Sequence, residues 1–194
     1  GSAQAWPDAG TDADTADDSV GEAAARAALA ACRRLLAQGS RTFQAASRLL
    51  PERVRDPACA LYAFCRRADD AVDAEPDPAA AAAAVVALTR RLDAVYAGRP
   101  GPALEDRALA AVLRAHPIPQ AWPAALVEGL AWDALGRRHE TLDDVLDYAA
   151  RVAGSVGLMM AAVMGVRSPS ALARAADLGV AMQLSNIARD VAED

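Results

Sequence analysis

Apolar side chains recur every three to four residues along most of the chain, with polar side chains between them. This spacing matches the turn of an α-helix. It predicts helices over residues 22–37, 40–49, 56–74, 78–97, 105–115, 120–136, 141–164 and 168–194. Glycine and proline stand at the breaks, where helices end. No strand-turn-strand pattern competes, so we expect an all-α helical bundle.

Residues 1–20 are rich in Asp, Ala and Gly and lack the apolar periodicity. We expect them to form a disordered leader, which opens on the expression scar Gly1-Ser2. The folded domain is predicted to cover residues 21–194.

Composition supports a helical protein and narrows its partners. Alanine, the best helix former, dominates the chain. The formal net charge of −6 removes the electrostatic case for a nucleic-acid partner. Three cysteines without a CxxC pair indicate neither zinc nor a disulfide framework, and we expect a cytoplasmic protein. No uninterrupted apolar run reaches the roughly 18 residues of a membrane span.

Two segments each carry a pair of acids four residues apart. YAFCRRADDAVD contains Asp69 and Asp73, and DVAED contains Asp190 and Asp194. Residues at this spacing share one helix face, so each pair can hold a cation. Both pairs border an apolar stripe, which indicates the edge of the core rather than open surface.

The last helix extends this pattern with amides. Gln183 and Asn186 precede Asp190 and Asp194 in one polar stripe. Two such stripes can line opposite walls of a cavity, where a cation would relieve the repulsion between carboxylates. Oxygen ligands favour a hard ion, Mg²⁺ with Mn²⁺ as a substitute, shared with substrate phosphates.

The acids also have a simpler interpretation. They could be solvated residues paired with Arg66, Arg67 or Arg189 at helical spacing. Two pairs that both border an apolar stripe favour the cation site.

Four motifs carry a resemblance to a known family. They are SRTFQAASRLLPERVRDPACAL, YAFCRRADDAVD, LVEGLAWDALGRRHETLDDVLDYAARVAGSVGLMM and AMQLSNIARDVAED. In this order, over about Ala31 to Asp194, they resemble the bacterial members of the squalene and phytoene synthase family, which are trans-isoprenyl diphosphate synthases. The resemblance implies the isoprenoid synthase fold, with a central cavity between two aspartate-rich helices.

The resemblance also implies an activity. Such prenyltransferases join two geranylgeranyl diphosphates head to head, through prephytoene diphosphate, to phytoene, the first committed step of carotenoid biosynthesis. They depend on magnesium and need no NADPH. Because substrate and product are greasy, we expect weak peripheral association with the inner face of the membrane.

Site residues follow from the same resemblance. Asp69, Asp73, Asp190 and Asp194 would bind Mg²⁺, and Arg66 would hold diphosphate. Gln183 and Asn186 would lie near the metal-diphosphate cluster and the reacting carbons. The substrate-binding positions are Ser40, Arg41, Phe43, Tyr62, Ala153, Val156, Gly157, Gly179 and Met182.

The small residues Ala153, Gly154, Ser155 and Gly157 have two interpretations. They could make room for a prenyl chain, or they could allow two helices to pack closely. Periodicity does not separate the two.

The chain departs from the family in two respects. His139 stands where the family usually has Tyr, which leaves the role of that hydroxyl open. Family members also continue by roughly another third beyond the position of Asp194. We therefore expect this chain alone to be inactive, or to rely on a dimer or a partner chain to complete the cavity.

Other functions remain open on the same fold. A squalene or dehydrosqualene synthase would use farnesyl diphosphate, and a cyclase would use one substrate molecule. A noncatalytic relative would act as an assembly factor, although such proteins typically lose the aspartate motifs.

Overall fold

The computed structural model describes residues 12–39, 45, 47–75 and 77–193, with side chains for residues 23–36, 45, 47–75 and 77–190. These ranges contain helices and turns and no strand, so the all-α prediction is confirmed. The helices are α1 (Asp12–Gly39), α2 (Glu52–Asp73), α3 (Pro78–Tyr96), α4 (Leu104–Ala115), α5 (Ala121–Ala134), α6 (Leu142–Ala149), a π-helical turn (Ala150–Gly154), α7 (Ser155–Val163) and α8 (Pro169–Glu193).

The first helix differs from its prediction. It begins at Asp12, inside the stretch for which a disordered leader was predicted, rather than near residue 22. Alanine favours a helix and acids suit its first turn, which accounts for the earlier start. Residues 1–11 lie outside the described residues, as does most of the helix predicted over residues 40–49.

Helix α2 is the central element of the bundle and contacts α1, α3, α4, α5 and α7. Its buried residues Val54, Ala58, Leu61, Ala68 and Val72 recur at helical spacing. The edge of α2 that borders this apolar stripe carries polar side chains towards a cavity.

A buried ion pair joins α3 to α4. The Asp106 side chain is only 1% exposed and accepts hydrogen bonds from Arg91 Nε at 2.9 Å and Arg91 Nη2 at 2.8 Å. Glu105 accepts a further bond from Arg91 Nη2 at 2.6 Å. Because both carboxylates share one guanidinium, removal of Arg91 would leave a buried charge without its partner.

The structure divides the helix predicted over residues 141–164 into three segments. A capping box starts it: Thr141 Oγ1 accepts a hydrogen bond from Asp144 N at 3.1 Å, and Asp144 Oδ2 accepts one from Thr141 N at 3.0 Å. The π-helical turn then interrupts the α-helix before Ser155. Single π turns are frequent at functional sites.

The run Leu142–Val163 is also long and apolar enough to cross a membrane by length and composition. A core helix of a folded bundle meets the same criteria. In this structure the run packs against α5 and α8.

Two glycines bring α8 into backbone contact with α7 and with the π-helical turn. A Cβ on Gly157 would lie 2.2 Å from the carbonyl oxygen of Ala175, and a Cβ on Gly179 would lie 2.3 Å from that of Ala153. Neither neighbour can yield, because both are backbone atoms. The close-packing interpretation of the small residues is therefore favoured at Gly157.

This contact yields a stability prediction for Gly157→Ala. Alanine favours a helix over glycine by about 1 kcal/mol, but overpacking costs roughly 1–3 kcal/mol. We expect the variant to have the lower free energy of unfolding, measured by urea denaturation followed by circular dichroism. Gly101→Ala is the control, because its Cβ would make an ordinary contact at 3.5 Å with Asp106. A Gly157→Ala protein as stable as the parent would contradict the close contact.

Candidate active site

A cavity of about 650 Å³ lies between α2, α5, the run from α6 to α7, and α8. Its lining combines charged, amide, aromatic and aliphatic side chains. They are Tyr62, Cys65, Arg66, Asp69, Leu126, Leu130, Tyr148, Val152, Val156, Gln183, Asn186 and Arg189.

The cavity unites residues that the sequence placed on two separate stripes. Tyr62, Arg66 and Asp69 come from successive turns of α2, while Gln183 and Asn186 come from successive turns of α8. The two predicted polar stripes thus face the same space. Val156, a predicted substrate-binding residue, lies in the wall between them.

Other predicted residues lie away from this cavity. Asp73 lines a neighbouring cavity of about 340 Å³. The Asp190 side chain is 65% exposed and pairs with Arg189 at 3.0 Å. Met182 is 62% exposed.

The remaining predicted positions divide into two groups. Gly157, Gly179 and Ala153 form the close contact of α8 with α7 and the π-helical turn, and they are not among the residues that line the large cavity. The predictions that lie outside the described residues are those for Ser40, Arg41, Phe43 and Asp194.

Asp69 is electrostatically unfavourable in its ionised form. Burial raises the pKa of Asp69, the charge of Asp73 raises it further, and Arg66 partly offsets both. Arg66 lies 3.5 Å from Asp69 Oδ2 but only 2.8 Å from Asp70 Oδ1, so its charge is shared. A cation would relieve the excess negative charge on this wall.

The oxygen donors around Asp69 are of the chemical type that a hard divalent cation binds, but they are too few to complete its coordination. Asp69 supplies a carboxylate and Gln183 an amide across the cavity, while the Asp73 carboxylate lies in the neighbouring cavity. Within the described residues, no three His, Cys, Asp or Glu side chains are grouped closely enough to hold a metal. An ion here would therefore take water or substrate oxygens as well, as Mg²⁺ does.

A hydrogen-bonded pair that the sequence did not reveal stands beside the cavity. The Tyr148 hydroxyl donates to Asp133 Oδ2 at 2.8 Å. Burial raises the pKa of Tyr148, and the hydrogen bond to Asp133 raises it further, so the phenol is neutral. The sequence signal that could have indicated this contact is Asp133 itself, an acid in helical register with Leu126 and Leu130.

His139 packs on this pair. Its ring centroid lies 4.8 Å from that of Tyr148 and 6.3 Å from that of Trp132. Nδ1 of His139 is buried without a hydrogen-bond partner. Arg137 and Arg151 stack on Trp132, with guanidinium carbons 3.8 and 4.3 Å from the ring centroid, and so fix the loop that carries His139.

Comparison with known proteins identifies relatives of this chain. Residues 36–194 match the squalene/phytoene synthase family. A phytoene synthase from Rhodobacter capsulatus is 59% identical over 170 residues, which cover 88% of this chain and 50% of the relative. A 15-cis-phytoene synthase from a Paracoccus species is 48% identical over 166 residues, covering 82% and 54%. The chain thus spans about half the length of the curated relatives it matches.

Solved structures agree on the fold. A dehydrosqualene synthase in complex with ligand superposes with a TM-score of 0.78 at 35% identity, covering 88% of this chain and 59% of the other. A squalene synthase from Alicyclobacillus acidocaldarius gives 0.76 at 27% identity, covering 87% and 64%. The predicted isoprenoid synthase bundle is confirmed.

The charge on this wall predicts a pH-dependent stability. Because the pKa of Asp69 is raised above its ordinary 3.8, the folded state holds this proton more tightly than the unfolded chain. Protonation of Asp69 therefore stabilises the folded state at a pH below the ordinary pKa, and this stabilisation is lost as the pH rises through the raised pKa. Asp73→Asn should therefore raise the melting temperature at pH 7 in EDTA, with the gain vanishing near pH 3.

Asp177→Asn is the matched control for that measurement, because Asp177 is exposed on α8. It should leave the melting temperature nearly unchanged at both pH values. A destabilised Asp73→Asn protein at pH 7 would contradict the proposed repulsion.

Proposed function

Because the chain belongs to the squalene/phytoene synthase family, we propose that it acts in the head-to-head joining of two geranylgeranyl diphosphates to phytoene. One observation carries the proposal: Tyr62, Arg66 and Asp69 face Gln183 and Asn186 across a single cavity. That arrangement offers cationic, anionic and amide groups to one diphosphate. It supports this activity better than a role as a scaffold, which needs no such convergence.

Arg66 would bind the diphosphate group. Its guanidinium carries a permanent charge and several donors suited to phosphate oxygens. In the free protein it pairs with Asp69 and Asp70. Binding of diphosphate would therefore exchange carboxylate partners for phosphate oxygens, and a cation beside Asp69 would favour that exchange.

Asp69 and Asp73 would hold Mg²⁺ from α2, and Asp190 would do so from α8, together with Asp194, which lies outside the described residues. When bound, the metal supplies positive charge that neutralises the departing diphosphate. For this role Asp190 must turn from its ion pair with Arg189. The exposed position of both side chains lets them rearrange at little cost.

The apolar wall would protect the allylic cation that departure of diphosphate leaves behind. Leu126, Leu130, Val152 and Val156 offer no nucleophile, and they exclude water that would quench the cation. Cys65 lines the same cavity. Burial raises the pKa of its thiol to about 12, so the thiol stays neutral. A thiolate in that position would attack the cation.

The test is incubation of the protein, alone and extended by the further segment that its longer relatives carry, with Mg²⁺ and geranylgeranyl diphosphate, followed by identification of the product by mass spectrometry. The expected product of the extended form is phytoene, whereas the chain alone should be inactive unless a dimer or a partner chain completes the cavity. Asp69→Asn should lower turnover by about 100-fold or more, the usual scale for loss of an electrostatic group at the reacting centre. Asp177→Asn should retain the activity of the parent.

A binding measurement tests the diphosphate site independently of turnover. A nonhydrolysable prenyl diphosphate analogue should bind in calorimetry with Mg²⁺ and lose most of its affinity in EDTA. A product formed from farnesyl diphosphate only would indicate a squalene or dehydrosqualene synthase instead of a phytoene synthase. A cyclic product formed from one substrate molecule would indicate a cyclase. Absence of magnesium-dependent binding would overturn the enzymatic proposal in favour of an assembly factor.

A further inference from the structure

Asp133 is exposed to solvent but lies where a negative charge is disfavoured. It lies in the last turn of α5, where the helix dipole disfavours an anion. It also lines the smaller cavity beside Asp73, whose charge adds to the penalty. A carboxylate kept where both the dipole and a like charge oppose it is a candidate for a functional role.

One contact accounts for that placement. The Tyr148 hydroxyl is directed at Asp133 Oδ2 over 2.8 Å, a normal length for a hydrogen bond from a phenol to a carboxylate. The bond joins α5 to α6, at a separation of 15 residues along the chain. Since Tyr148 lines the large cavity and Asp133 lines the smaller one, the bond crosses the wall between them.

The rest of the wall restricts the Tyr148 ring. His139 packs on one side of it, and Val152, one helical turn along, shares the lining of the large cavity. Leu126 and Leu130 place Asp133 on the same side of α5 as the large cavity. With its ring packed and its proton committed to Asp133, the Tyr148 oxygen has only lone pairs left to offer other groups.

We infer that Asp133 is a positioning residue that takes up the Tyr148 hydroxyl proton in a hydrogen bond, so that the Tyr148 oxygen faces the cavity as an acceptor. An oxygen so oriented favours positive charge nearby and does not donate to the oxygens of a diphosphate. The inference rests on the proposed function only for the identity of that positive charge, the allylic cation. The hydrogen-bond arrangement itself is independent of it.

The first experiment observes the hydroxyl directly. The protein contains three tyrosines, which can be labelled with ¹³C at Cζ, a carbon whose NMR shift reports the hydrogen bond of the hydroxyl. Tyr148→Phe assigns the Tyr148 signal by its loss. Asp133→Ala should move that signal, and Asp133→Asn should move it less because an amide oxygen still accepts the bond.

Tyr96 is an internal control in the same spectra. Its hydroxyl donates to the Ile118 carbonyl oxygen at 2.9 Å, away from Asp133. Its signal should stay in place in every variant. An unmoved Tyr148 signal in a folded Asp133→Ala protein would overturn the inference, whatever the activity of the protein.

The second experiment separates positioning from a structural role. Misplacing a reacting group can cost about 100-fold, so Asp133→Ala should lower kcat by about 10- to 100-fold with little change in KM. Asp133→Asn should recover most of that loss. The double variant with Tyr148→Phe should be no slower than Tyr148→Phe alone, because the two residues act as one unit.

The outcomes of the two experiments are distinguishable. Additive effects of the two substitutions would overturn the positioning role. If neither the parent nor any variant forms a product, even when extended by the further segment that its longer relatives carry, the proposed function fails, and the NMR shift alone decides whether Asp133 orients Tyr148.

Discussion

The backbone contact of α8 with α7 and the π-helical turn is the constraint on which the site depends. Gly157 on α7 faces the Ala175 carbonyl oxygen of α8, and Gly179 on α8 faces the Ala153 carbonyl oxygen of the π-helical turn, with no room for a Cβ at either glycine. This contact determines how close α8 lies to the rest of the bundle. Gln183, one turn beyond Gly179, then reaches the cavity wall opposite Arg66. The small residues contribute here by allowing approach, not by enlarging the cavity.

The negative charges at the site oppose the packing that holds the helices together. Burial and the charge of Asp73 raise the pKa values of Asp69 and Asp133, so ionisation of either is less favourable in the folded protein than in the unfolded chain. Packing of the apolar stripe on α2 must offset that penalty. Such tension between stability and charge is typical of binding sites, and it locates this one on α2 and α5.

Much of this arrangement was predictable from sequence. Helical periodicity predicted the bundle, and spacing alone predicted that Arg66 and Asp69 share a face, as do Gln183 and Asn186. It did not predict that Asp73 faces a neighbouring cavity, because Asp73 lies one turn beyond Asp69, beside the end of α5, and the spacing of acids on α2 does not contain the position of that helix. The bond from Tyr148 to Asp133 depends on how two helices meet, which no local pattern contains.

The most direct test of a single diphosphate site between α2 and α8 is a crystal structure of the protein with Mn²⁺ and a nonhydrolysable prenyl diphosphate analogue. Anomalous scattering would locate the metal. The account predicts Mn²⁺ beside Asp69, with the diphosphate between Arg66 and the amides of Gln183 and Asn186. Analogue bound elsewhere, with the space between these residues filled only by water, would contradict it.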